Sequence, residues 1–161
     1  MKRATSDKHG AMLRRGLTDE DGFTLIELMV VVLIIGILIG IAMGTYRGAR
    51  ERAADRAAQT DVRTGLITAM SFYVKGRTYT GFDVATAEAD EPSLDWMSPG
   101  PPQETQVDIE IANGDFLLLV TKSRSGTYFC IAQISGNPLT ERGKSVNFTD
   151  VDSIAECVGG W

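Results

Sequence analysis

The chain has 161 residues with 16 bases and 21 acids, a net charge of −5, one histidine and two cysteines. That length accommodates one modest domain and an anchor, which excludes a multidomain enzyme. The acidic balance argues against a general phosphate-binding surface, although a local basic patch would leave nucleic acid open as a partner.

Residues 1–22 are polar and mixed in charge, with Lys2, Arg3, Lys8, Arg14 and Arg15 set against Asp7, Asp19, Glu20 and Asp21. They show no hydrophobic period. They fit neither a folded element nor a standard secretory peptide, whose shorter apolar core follows its positive region closely. Read as a leader, they leave a chain of 11 bases and 17 acids, net −6. His9 falls in the leader, so the remainder lacks the commonest general base.

From Gly22 to Ala42 the chain is apolar except for one acid, Glu27. About 20 helical residues at roughly 1.5 Å each cover the ~30 Å of a bilayer's hydrocarbon. A carboxylate within such a segment costs roughly 2.5–3.5 kcal/mol, so it needs a partner or a task. Thr24-x-x-Glu27 is also a capping-box pattern, in which Glu27 bonds back to the helix start. A polar leader followed by an anchor with one acid near its start points away from a soluble enzyme. It points to a subunit that leaves the membrane and pairs that acid elsewhere. Ala42-Met43-Gly44 mimics a signal peptidase site, but the apolar run exceeds a signal core. Bases flank the run almost evenly, so charge does not decide which side the head occupies.

The helix is predicted to continue from about Thr24 to Lys75, on the order of 75–80 Å. Residues 23–50 form the transmembrane and assembly part, and residues 51–161 the head. Ala54, Ala58, Val62, Leu66, Ala69 and Tyr73 make one apolar stripe, with Arg50, Arg52, Asp55, Arg56, Asp61 and Arg63 on the wet side. Gly76 is the stop. Gly36, Gly40, Gly44 and Gly48 recur every four residues near one face, a pattern for close helix packing or for local melting.

Residues 76–106 read as an acidic, proline-rich connecting loop, with a short helix within 84–97 and Tyr79, Phe82 and Trp96 pinning it to a core. From residue 107 the period becomes two. Val107, Ile109 and Ile111 alternate with polar or small residues, and Asn113-Gly114 turns the chain into a second strand from Asp115 to Thr121. Ser125-Gly126 turns again, before a third strand from Thr127 to Ile134. Weaker strands are expected around Val146–Phe148 and Ile154–Val158. Cys130 and Cys157 would be inert thiols in a cytosolic chain, and a single disulfide in an exported head this small. The disulfide favours the outside of the cell. The fold class is α+β: a long N-terminal helix, membrane-spanning then amphipathic, packed on a small antiparallel sheet with a disulfide-tied C-terminal loop.

Gly22-Phe23-Thr24-Leu25-Ile26-Glu27-Leu28 and the apolar run after it resemble the processing site of type IV prepilins, over about residues 22–45. The resemblance implies that Gly22 ends the leader and that a prepilin peptidase frees Phe23, which is then N-methylated by the same enzyme. It implies that Glu27 serves methylation and assembly by facing the Phe23 amine of a neighbouring copy. The partners are then the chain itself as a helical homopolymer, the inner-membrane pilus assembly machinery and the membrane. The location passes from cytoplasmic membrane to cell-surface pilus. Asp19, Glu20 and Asp21 stand where many family members carry bases, and no proline stands near Gly44 where related pilins often have one.

The reading is a structural pilin, not an enzyme, with no catalytic residue, cofactor or metal. Its alternatives are a pseudopilin of a type II secretion or competence system, and a single-pass membrane-anchored binding protein. Asp150-x-Asp152 is read as a solvated turn before a Ca²⁺ site. Asn147-Phe148-Thr149 matches a glycosylation sequon, a pattern short enough to arise by chance.

Overall fold

The computed structural model describes residues 22–136 and 139–161. The leader reading, Gly22 apart, therefore lies outside the described residues. The chain divides into two compact units at Ile41 and Ala42.

One helix, α1, runs Leu25–Gly76, close to its predicted bounds. No proline precedes Pro92, and Ala53, Ala54, Ala57 and Ala58 supply strong helix formers in its second half. Up to Ile41 every described residue is exposed, including Ile26 at 71% and Leu33 at 64%. Among the described residues of this unit nothing covers the apolar stretch.

The second unit is the head. Here α1 buries Ala58, Val62, Gly65, Leu66, Thr68 and Ala69. The predicted stripe is thus the packed face, with Tyr73 half-buried at its end. Gly65 is needed for the close approach. A Cβ there would lie 3.1 Å from the Trp96 ring and 3.2 Å from Leu119.

After the helix come α2 (Val84–Asp90), inside the window predicted for it, and five strands. These are β1 (Asp95–Met97), β2 (Gln106–Asn113), β3 (Phe116–Lys122), β4 (Tyr128–Ile134) and β5 (Thr140–Ser145). They lie side by side in chain order, with β1 parallel to β2 and every other pair antiparallel. Asp83 caps α2 by accepting from the Thr86 amide at 2.9 Å.

The sheet is covered on both faces. On the α1 side Val62, Leu66, Ala69, Val107, Leu117, Leu119 and Ile131 pack with Tyr79, Phe82 and Trp96, which do pin the connecting segment. On the other side Leu118, Val120, Cys130, Ala132, Val151 and Cys157 form a second core. Double coverage explains why β3 reads as a continuous apolar run.

Three expectations need correction. Residues 146–148 and 154–158 are not strands. The fifth strand is Thr140–Ser145, and Phe148–Asp150 is a 3-10 turn. Thr-Glu-Arg-Gly-Lys-Ser has no apolar alternation to reveal it, because its one buried residue is Gly143. The segment 76–106 also contains β1, which the antiparallel expectation omitted. Finally, a register shift between Ile109 and Ile111 leaves Glu110 as an extra residue and turns Ile111 onto the opposite face.

The Cys130–Cys157 disulfide is formed, with Cα atoms 5.8 Å apart. Gly143 passes so near that a Cβ would sit 2.9 Å from the Cys130 sulfur and 2.8 Å from the Val158 amide nitrogen. Beyond it, Trp161 meets Phe129 edge-on and donates from its indole to the Cys130 carbonyl at 3.1 Å. The Arg63 guanidinium lies over the same ring at 4.6 Å. Replacing both cysteines by alanine is expected to cost about 3–4 kcal/mol, the chain-entropy value for a loop of this length. Denaturant titration of the detergent-solubilised protein measures it.

Asp108 is fully buried in β2, and neither carboxyl oxygen has a hydrogen-bond partner among the described residues. Burial, and next the neighbouring Glu110 carboxylate, push its pKa up to about 8. The folded chain therefore keeps this proton across the range from about pH 4 to 8, where the unfolded chain has released it. Stability falls as pH rises through that window, by about 1.4 kcal/mol per pH unit at most. Asp108→Asn is expected to flatten the slope and stabilise the protein more at pH 8 than at pH 5. Urea titrations at the two pH values give the comparison.

Candidate processing and assembly site

Gly22, Phe23 and Thr24 precede the first helical residue, and Phe23 is 81% exposed. Thr24 stands at the N-cap and Glu27 three residues on, so the two side chains meet across the first turn. The Glu27 amide donates to the Thr24 hydroxyl at 3.2 Å. The Thr24 amide and hydroxyl both donate to Glu27 Oε2, at 3.3 and 3.1 Å. The Leu28 amide closes the first helical bond to the Thr24 carbonyl at 3.2 Å. The capping box read from sequence is thus formed. It engages one carboxylate oxygen, and Oε1 makes no hydrogen bond among the described residues.

Gly36, Gly40, Gly44 and Gly48 all lie within unbroken α1, the first three exposed and Gly48 half-buried. A Cβ at Gly36, Gly40 or Gly44 would meet nothing within 4 Å, and at Gly48 only the Arg52 side chain. Among the described residues nothing demands glycine at these places.

The remaining candidates separate from this site. Cys130 and Cys157 are committed to the outer core. Asp150 accepts from the Ser145 hydroxyl at 2.6 Å and the Asn147 amide group at 3.2 Å, and these bonds hold its carboxyl below the usual range. Burial, then the nearby Glu156, moves Asp152 the other way. The pair serves a local turn. Among the described residues no group of three or more His, Cys, Asp and Glu is placed to hold a metal ion. One contact had no sequence signal: Ser125, in the β3–β4 turn, donates its hydroxyl to Asp55 of α1 at 2.5 Å. It ties the turn to the helix across 70 residues of chain.

Residues 17–43 match the family described as the prokaryotic N-terminal methylation motif. No curated protein and no solved structure matches the chain. The chain therefore carries the type IV pilin signal followed by a long apolar helix, and the motif indicates a type IV pilin-like prepilin. Such a motif implies processing by a prepilin peptidase and assembly into pilus-like polymers, and points to a structural protein. The motif and the apolar helix fit insertion of the precursor in a membrane.

Loss of an N-cap costs about 1 kcal/mol. Thr24→Val is accordingly expected to speed hydrogen exchange at the Glu27 amide about five-fold, with Thr24→Ser near the parent rate. Exchange in detergent micelles, resolved by NMR, tests this.

Proposed function

We propose that this protein is the structural subunit of a type IV pilus, cut between Gly22 and Phe23, N-methylated at Phe23 and polymerised through α1 into an extracellular filament. Residues 23–50 are its membrane and assembly segment, and residues 51–161 its displayed head. The carrying observation is the fully exposed apolar stretch of α1 directly behind the methylation motif. Lipid covers that stretch in the precursor, and the helices of other copies replace lipid in the filament.

Glu27 sets the register. Its capping bonds contribute about 1 kcal/mol, against roughly 2.5–3.5 kcal/mol for placing a carboxylate in an apolar surrounding. Capping therefore leaves a deficit. The new α-amino group of Phe23 on an adjacent copy offers a cation to the unengaged Oε1. Two charges paired across copies in an apolar core are costly to separate, so only the register that pairs them is stable. The glycines at 36, 40, 44 and 48 then let neighbouring helices approach.

Glu27→Gln is expected to leave cleavage intact and to reduce sheared surface filament at least ten-fold. Gly22→Asp is expected to leave the full-length precursor in the membrane. N-terminal peptide mass spectrometry of membrane and sheared fractions reads cleavage, methylation and location together. Normal filaments from the Glu27 variant would refute the pairing. A mature protein still starting at Met1 would refute the function.

A further inference from the structure

α1 leaves its apolar stretch in a fixed order. Phe23 to Met43 covers ~30 Å of chain at helical rise, the depth of a bilayer's hydrocarbon. Tyr46 follows, 64% exposed, an aromatic suited to the water boundary of a membrane. Arg47 and Arg50 come next, within about 6 Å of Tyr46 along the helix, which is roughly the depth of one headgroup layer. Both line a groove of about 700 Å³ within the second unit. Its opposite wall carries Lys122 and Arg124, from the end of β3 and the turn into β4. That wall is built rather than loose. The Ser125 hydroxyl ties the turn to Asp55 of α1, the Ser123 amide donates to the Thr127 carbonyl at 2.8 Å, and the Thr105 amide donates to the Lys122 carbonyl at 3.1 Å. Arg124 thus stands on a turn fastened to the helix.

The charges of the groove indicate its occupant. Lys122 is engaged with the Tyr128 ring, 5.0 Å from its centre. Arg47, Arg50 and Arg124 make no ion pair and no side-chain hydrogen bond among the described residues. Three unpaired guanidinium groups around one groove repel one another. A phosphodiester offsets that repulsion, and its oxygens match the guanidinium fork. The acids Glu51, Glu104 and Asp61 also line the groove, so four bases stand against three acids. The balance accommodates one negative charge and repels a polyanion. The depth of Arg47 and Arg50 decides which phosphodiester stands there, since a bilayer presents its headgroup phosphates at that level.

We propose that this groove binds the headgroup phosphate of an anionic phospholipid, held by Arg47 and Arg50 of α1 and by Arg124 of the β3–β4 turn. The proposal rests on the membrane anchorage in the functional reading, not on the filament. A choline lipid carries the same phosphate but balances it with a quaternary ammonium, so it leaves the excess charge of the groove unmatched. The bound headgroup fastens the head to the membrane surface in one orientation while the subunit resides there. It must be released when the subunit leaves.

The test is native mass spectrometry of the full chain released from detergent micelles that hold equal amounts of phosphatidylglycerol and phosphatidylcholine. The parent is expected to retain phosphatidylglycerol over phosphatidylcholine by about ten-fold. Arg50→Gln and Arg124→Gln should each lower that ratio about five-fold, the effect of one base at a membrane surface. Arg52→Gln, as near the apolar stretch as Arg50 but outside the groove, should leave it unchanged. Arg124→Lys keeps the charge on the turn and should keep most of the preference. No preference in the parent, an equal fall in Arg52→Gln, or full retention in Arg124→Gln overturns the proposal. Displacement of phosphatidylglycerol by an equal concentration of inorganic phosphate would assign the groove to free phosphate and overturn the lipid. Alkaline carbonate washing of cell membranes tests the anchorage separately. A chain that washes off refutes the anchorage and with it the membrane source of the ligand. A chain that stays and shows no lipid preference refutes the groove alone.

Discussion

The apolar first part of α1 constrains everything else in this molecule. From Leu25 to Met43 fifteen large apolar side chains are exposed, each by roughly half its surface or more. Keeping them in water would cost tens of kcal/mol at about 1.5–3 kcal/mol for each fully exposed side chain. A domain of this size holds only about 5–15 kcal/mol of folding stability. No arrangement of the head offsets that difference, so the isolated chain in water is not a working state. It needs lipid, or other helices like its own.

Glu27 gains its meaning from that surrounding. At a soluble helix start, the bonds between Thr24 and Glu27 would be a complete account of both residues. Within an apolar layer they satisfy one carboxylate oxygen and leave the charge. The same side chain therefore serves the helix locally and keeps one carboxylate oxygen outside those bonds. The head is organised differently. Its two cores bury both faces of the sheet, and the disulfide and Trp161 fasten the last turns of chain against β4. The first unit exposes its apolar surface, whereas the head encloses two apolar cores and leaves Ile67, Val74, Leu139 and Val146 exposed.

What was legible in the sequence follows from which interactions are local. The capping box, the helix stripe, the Asn113-Gly114 turn and the runs of β3 and β4 are set by residues a few positions apart, and each was predictable. β5 was not, because a polar edge strand is specified by its pairing with β4 and by the absence of a side chain at Gly143. The bulge at Glu110 was hidden for a similar reason. Strict alternation in Val107, Ile109 and Ile111 looks the same whether or not one extra residue is inserted against β3. Asp108 was invisible as a buried acid, since alternation sets it opposite Val107 and Ile109 and only the cover over the second face of the sheet, where it pairs with Val120, buries it. The methylation motif was the most legible feature of all, because it is one contiguous run of residues.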